Sequence, residues 1–184
     1  MLKTYLFEKD GKANPYLGII HRLDQPVQGL VVFAKNPKSA AALSAQVQDG
    51  RMKKYYRAVT CGIPKKKEER LVNYLKKNSR TNLSECVSEK VQGAKKAELY
   101  YHVLEEKDNY ALLEIELFTG RHHQIRVQMA KNQTPLYGDQ KYNKNAQKGE
   151  QIALCASRLE FYHPATGKKM QYDCKPEGGA FALF

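Results

Sequence analysis

The sequence lacks most of the features that assign a chain quickly. None of its stretches approaches the roughly 18 consecutive apolar residues of a membrane span. The N-terminal MLKTYLFEKDGK has no uninterrupted apolar core of the secretory kind, so a cytoplasmic protein with no membrane role is expected. Cysteines are few and scattered: Cys61, Cys86, Cys155 and Cys174 include no Cys-x-x-Cys, which argues against a zinc ribbon or a redox pair and for reduced, packing thiols. No Gly-x-Ser-x-Gly elbow occurs, which disfavours a Ser-His-Asp hydrolase. Internal repeats and low-complexity linkers are absent as well. Acidic residues are scarce beside basic ones: 19 Asp and Glu face 31 Lys and Arg, a formal net charge of +12.

What is there suffices for a folded core. At 184 residues and 42% hydrophobic content, the chain fits one domain, residues 1–184, rather than a disordered segment. The positive charge is concentrated: residues 51–96 hold 14 Lys and Arg against 4 Glu. Such a field favours a polyanionic partner, with nucleic acid the first candidate and a solvated, lysine-rich surface the plain alternative.

Local patterns predict an α+β fold, a mixed, mainly antiparallel sheet with a few flanking helices. LGII (17–20) and GLVVFAK (29–35) read as strands, leaving HRLDQPVQ as their connection. Asn36-Pro37 opens a helix that Gly50 closes, with Leu43 and Val47 on one face. A strand over 55–62 is followed by a basic, polar excursion over about 63–96, read as a surface hairpin or arm. AELYYHVLEEK and YALLEIELFTG form a hairpin joined at Lys107-Asp108-Asn109. RHHQIRVQMAKNQ forms a short helix with His122, Arg126 and Ala130 on one face and Ile125 and Met129 on another. Two last strands turn at His163–Gly167.

Several residues offer chemistry. Asp24, in a loop beside His21 and Arg22, suits a nucleophile or an electrostatic stabiliser, although an Asp beside an Arg is more often a structural ion pair. The lack of a second carboxylate at a clear partner position speaks against glycosidase chemistry. In KKYYR (53–57), cations alternate with rings that can stack on bases, as ordinary sheet tyrosines also do. His122-His123 has no third ligand at metal spacing and, in a helix, would point two ways, so no metal is expected.

Read together, HRLDQPVQGL (21–30), KKYYRAV (53–59) and TGRHHQIRVQM (119–129) resemble the RluA family of pseudouridine synthases. Its later blocks recur as Gly138-Asp139 with Tyr142, and His163-Pro164 with Thr166-Gly167, all in family order. His21 before Arg22-Leu23-Asp24 favours this family over the related small-subunit-rRNA type. The resemblance implies an isomerase acting on structured RNA, rRNA or tRNA, as a monomer without cofactor or metal. It makes Asp24 the catalytic aspartate, Tyr56 the active-site tyrosine that takes or relays the C5 proton, and Arg126 the partner that keeps Asp24 charged and oriented. Arg22, Arg121 and Lys54 become the RNA contacts. The alternative is a catalytically impaired RNA-binding protein that retains the fold, and a weaker third reading is a basic protein scaffold. Val27, Gln28, Gln128 and Cys155 depart from the family's Thr, Ser, His and His. Twenty residues precede His21, so the family's leading strands and an S4-like domain are expected to be missing, leaving a sheet edge or pocket wall open.

Overall fold

In the computed structural model, residues 2–11 and 14–184 are described; Met1, Lys12 and Ala13 lie outside them. The order of elements is α1 (Leu2–Asp10), β1 (Gly18–Ile19), β2 (Gln28–Gly29), β3 (Phe33–Ala34), α2 (Pro37–Gln48), β4 (Lys53–Cys61), β5 (Glu68–Asn78), β6 (Leu83–Val87), β7 (Lys95–Lys107), β8 (Tyr110–Leu117), α3 (Gln124–Lys131), β9 (Leu154–Tyr162), β10 (Lys169–Asp173) and a closing 3-10 turn (Gly179–Leu183). The main sheet runs β10-β9-β4-β8-β7-β5-β6, antiparallel throughout, and β2 joins β9 in parallel. None of the described helices is long and apolar enough to cross a membrane.

Alternation builds the sheet. Along β8, Ala111, Leu113, Ile115 and Leu117 are buried, while Glu114 and Glu116 between them are only half-buried. The buried row packs under Ile125 and Met129 of α3 together with Leu99 and Tyr101 of β7, forming the principal core. At the β7–β8 turn Lys107 pairs with Tyr110, and Asp108 takes φ +54, a conformation that short polar side chains tolerate. In α2, Asn36 Oδ1 accepts from Ser39 N at 2.8 Å and Pro37 fills the first turn, as expected.

Other expectations need correction. LGII and GLVVFAK contribute only the two-residue β1 and β3, paired as a separate ribbon, with β2 added to β9. Of the hairpin or arm expected over 63–96, the hairpin is what forms, β5–β6 after Pro64, and it is no separate arm because its first strand pairs with β7 from Glu68↔His102 to Leu75↔Lys95. On α2 the face of Leu43 and Val47 packs into a second core as expected, and what was not expected is that Gln46 is buried too and exchanges two hydrogen bonds with the Tyr162 backbone, at 2.8 and 2.7 Å. The predicted helix over 121–133 begins only at Gln124, so His122 lies outside it and His123 caps it at φ +53. Helix α1 lies in a stretch for which no element was predicted.

Candidate active site

Three segments converge on the core face of the sheet around a cavity of about 450 Å³: the loop carrying Asp24, the start of β4, and the turn that leads into α3. Asp24, Tyr56, Arg126, Arg22, Arg121 and Lys54 all line it, although they are spread over more than 100 positions of sequence. The loop is shaped by its own backbone, since Val27 N donates to Asp24 O at 2.9 Å. It is then held at Gly29, where φ is +121 and any Cβ would strike the Ala156 backbone of β9.

Arg126 organises the centre. The guanidinium is 4% exposed and donates from Nε and Nη2 to the two oxygens of Asp139, at 2.9 and 2.6 Å. Nη1 remains for Asp24 Oδ2, at 3.3 Å. This two-point grip on a fully buried carboxylate fixes the plane of the guanidinium, so its third arm reaches Asp24 in a set direction. Burial works against the charged guanidinium, but the Asp139 hydrogen bonds and the two carboxylates outweigh it and raise the Arg126 pKa. Asp139 is held in turn: its Oδ1 accepts from Lys141 N at 3.0 Å, and Gly138 before it has φ +68 where a Cβ would collide with the Gln151 carbonyl.

Tyr56 and Lys54 alternate on the buried face of β4. Tyr56 faces an irregularity in the β4–β9 ladder, where Tyr55 pairs with Arg158 but Arg57 with Cys155. This bulge on β9 falls where β2 joins it, so the Asp24 loop and Tyr56 meet at one local distortion. Burial, with the Asp24 carboxylate adding to it, pushes the Tyr56 phenol well above the ordinary tyrosine range. Burial lowers the Lys54 pKa, and the Arg121 guanidinium lowers it further. Arg22 and Arg121 stand exposed at the rim.

A second layer around Asp24 is built from residues to which sequence reasoning assigned no role in the reaction. His122 and His123 stack with ring centroids 3.7 Å apart, the consequence of lying outside the helix, and His123 Nε2 stands 3.8 Å from Asp24 Oδ2. His123 Nδ1 meets the Tyr142 hydroxyl at 2.7 Å, and that hydroxyl accepts from Ser84 N at 2.8 Å. Tyr142 also lies under the Arg126 guanidinium, 5.3 Å from ring centre. Burial is the main cause that holds His123 down at about 4, so the ring is neutral near pH 7. Gly138-Asp139 with Tyr142 had been noticed as a motif, which was the available signal; its partners were not readable.

Residues that depart from the family pattern have found partners. Val27 packs against the principal core. Gln28 exchanges hydrogen bonds with the Glu177 backbone at 3.0 and 3.1 Å, clipping the loop to the C-terminal segment. Gln128 donates to Asn73 Oδ1 at 2.8 Å and ties α3 to β5. Cys155 is fully buried in register with Gln28.

Comparison with known proteins decides the family. Residues 3–131 match the sequence profile described as RNA pseudouridylate synthase. The chain belongs to the RNA pseudouridylate synthase family. Among its relatives are the ribosomal large subunit pseudouridine synthases D of Zymomonas mobilis subsp. mobilis, 32% identical over 174 residues (90% of this chain, 54% of that protein), and of Pasteurella multocida, 34% identical over 175 residues (86% and 52%). The chain thus spans about half the length of these synthases. Two solved structures share the synthase fold: human RNA pseudouridylate synthase domain containing 4 (TM-score 0.77, 22% identity, 95% of this chain and 77% of that one) and domain containing 1 (TM-score 0.77, 22% identity, 96% and 74%).

Proposed function

We propose that the chain isomerises uridine to pseudouridine in structured RNA, with Asp24, Tyr56 and Arg126 as its catalytic residues and Arg22, Arg121 and Lys54 as RNA contacts. The observation that carries this reading is the Asp24–Arg126 contact at 3.3 Å inside a cavity that Tyr56 also lines. In the reaction the N1–C1′ bond breaks, uracil turns, C5 bonds to C1′, the C5 proton leaves and N1 gains one. Atoms and electrons balance within the substrate, so the chemistry calls for no redox partner or group carrier.

Asp24 acts at the sugar by one of two routes. As a nucleophile it bonds to C1′ while uracil departs, and C5 later displaces it; as a base it takes the C2′ proton, and C5 adds to the resulting glycal as that proton returns. Arg126, fixed by Asp139, holds Asp24 in direction for either route. Tyr56, neutral because burial disfavours its phenolate, passes the C5 proton onward rather than waiting as a preformed base. The apolar walls from Leu23, Leu117 and Ile125 suit the faces of a uracil extruded from its stack, and the rim arginines offset the cost of that extrusion through backbone phosphates.

The named relatives point to ribosomal RNA as the first substrate to try; the same reading takes transfer RNA as the second and the chain as a cytoplasmic monomer. Incubation of the chain with such transcripts, followed by chemical mapping of pseudouridine, is expected to show conversion at defined uridines. Binding without conversion on any of them would assign the fold to RNA binding alone.

A further inference from the structure

We propose that Lys54, completed by Arg22 and Arg121, is an internal subsite for the phosphate of the same nucleotide whose uracil enters the cavity, so that the cavity selects a phosphorylated nucleotide over a nucleoside. This deepens the synthase reading and rests on it for the identity of the base.

The charges lining the cavity do not balance. Four permanent or nearly permanent cations, Arg22, Lys54, Arg121 and Arg126, meet one carboxylate, Asp24. Arg126 is committed to Asp139 and Asp24. Among the described residues, no carboxylate pairs with any of the other three. For Arg22 and Arg121 this has little consequence, because both are exposed to water. Lys54 is different: the residue is only 8% exposed, it faces the cavity, and among the described residues its ammonium has no counter-ion to offset the water it loses. An anion entering the cavity supplies the missing partner.

Geometry narrows the anion to a phosphate attached to the base. Lys54 and Tyr56 lie two residues apart on one face of β4, about 7 Å along the strand, which is the scale of a single nucleotide from ring to phosphate. Gly120 leaves that side of the ammonium uncovered, since a Cβ there would stand in van der Waals contact with Nζ, at 3.5 Å. Arg121 is steered toward the same rim by its Nε, which donates to Lys96 O at 2.8 Å and leaves its terminal nitrogens for a ligand. With uracil beside Tyr56 and the sugar at Asp24, the phosphate of that nucleotide meets Lys54.

The test is binding of uridine, uridine 3′-monophosphate, uridine 5′-monophosphate and inorganic phosphate to the full chain, wild type against Lys54→Met and, as a second neutral variant, Lys54→Gln. In the wild type, one of the two monophosphates is expected to bind about tenfold tighter than uridine. In both variants that ratio falls to near unity, and thermal unfolding shows a fold at least as stable as the wild type. A nucleotide-to-nucleoside ratio that is absent in the wild type, or that survives both substitutions, overturns the proposal. So does inorganic phosphate binding as tightly as the nucleotide, which would make this a site for free phosphate. Failure to convert uridine in any RNA would refute the synthase reading while leaving the measured ratio as it is, so the two failures are distinguishable.

Discussion

The two faces of the sheet use the same residue types to opposite ends. On the outer face, Arg57 pairs with Glu114 at 3.1 Å, Arg158 with Asp173 at 2.8 Å and Lys169 with Glu160 at 2.8 Å, all of them wetted by solvent. On the inner face Arg126 and Asp139 are 4% and 0% exposed and make two hydrogen bonds to one another. Water screens the outer pairs, and long side chains give up rotamer freedom to make them, so each contributes little. The inner pair has no solvent to fall back on; what it yields is direction, a guanidinium that reaches Asp24 at one angle. Where α3 buries this arginine, and its grip on Asp139, thus set its reach to Asp24.

The sharpest way to break this contrast is to remove one inner partner. Asp139→Ala leaves a buried guanidinium with only Asp24 for company and is expected to cost about 3–5 kcal/mol of stability, read by denaturant unfolding, together with loss of any pseudouridine-forming activity. A cost below about 1 kcal/mol would make the inner pair equivalent to the outer ones.

A smaller effect is expected from pH. His21 and His123 are both held near 4, chiefly by burial, against an ordinary value of 6.5. Between those values the unfolded chain binds more protons than the folded one, so their contribution is fully present above about pH 7 and is lost as pH falls toward 4. Melting temperature should drop between about pH 7 and about pH 5, and His123→Gln should flatten the slope. An unchanged slope would mean that this ring is not held neutral.

The smallest effect belongs to the outer face. Arg57→Gln should change stability by about 0–1 kcal/mol and leave RNA conversion intact, measured by the same unfolding and mapping assays. A large loss of conversion would show that the outer face takes part in the reaction.

Features governed by neighbours in sequence were legible, and features governed by distant ones were not. The Asn36 cap, the turn at Asp108-Asn109 and the alternation of β8 are local, and the structure bears them out. Asp24, Tyr56 and Arg126 were picked from spaced motifs, and they share one cavity. By contrast, the pairing of Asp139 with Arg126 depends on a tight backbone approach at Gly138, and the stacking of His122 on His123 depends on a helix that starts later than its pattern suggests. Residues 63–96 read as a surface hairpin or arm because their charges are frequent; the hairpin forms, and the half-buried positions Leu71 and Asn73, facing Leu99 and Ala97 of β7, hold it in the sheet.

The most direct measurement compares wild type with Asp24→Asn on ribosomal and transfer RNA transcripts, mapping pseudouridine at single-nucleotide resolution. Asparagine keeps the shape of the side chain and its reach to Arg126 but cannot act as nucleophile or base at the sugar. The expected result is conversion at defined uridines by the wild type and none by Asp24→Asn, with both proteins folded and binding RNA alike. Conversion by Asp24→Asn at the wild-type level would contradict the assignment of the chemistry to this carboxylate.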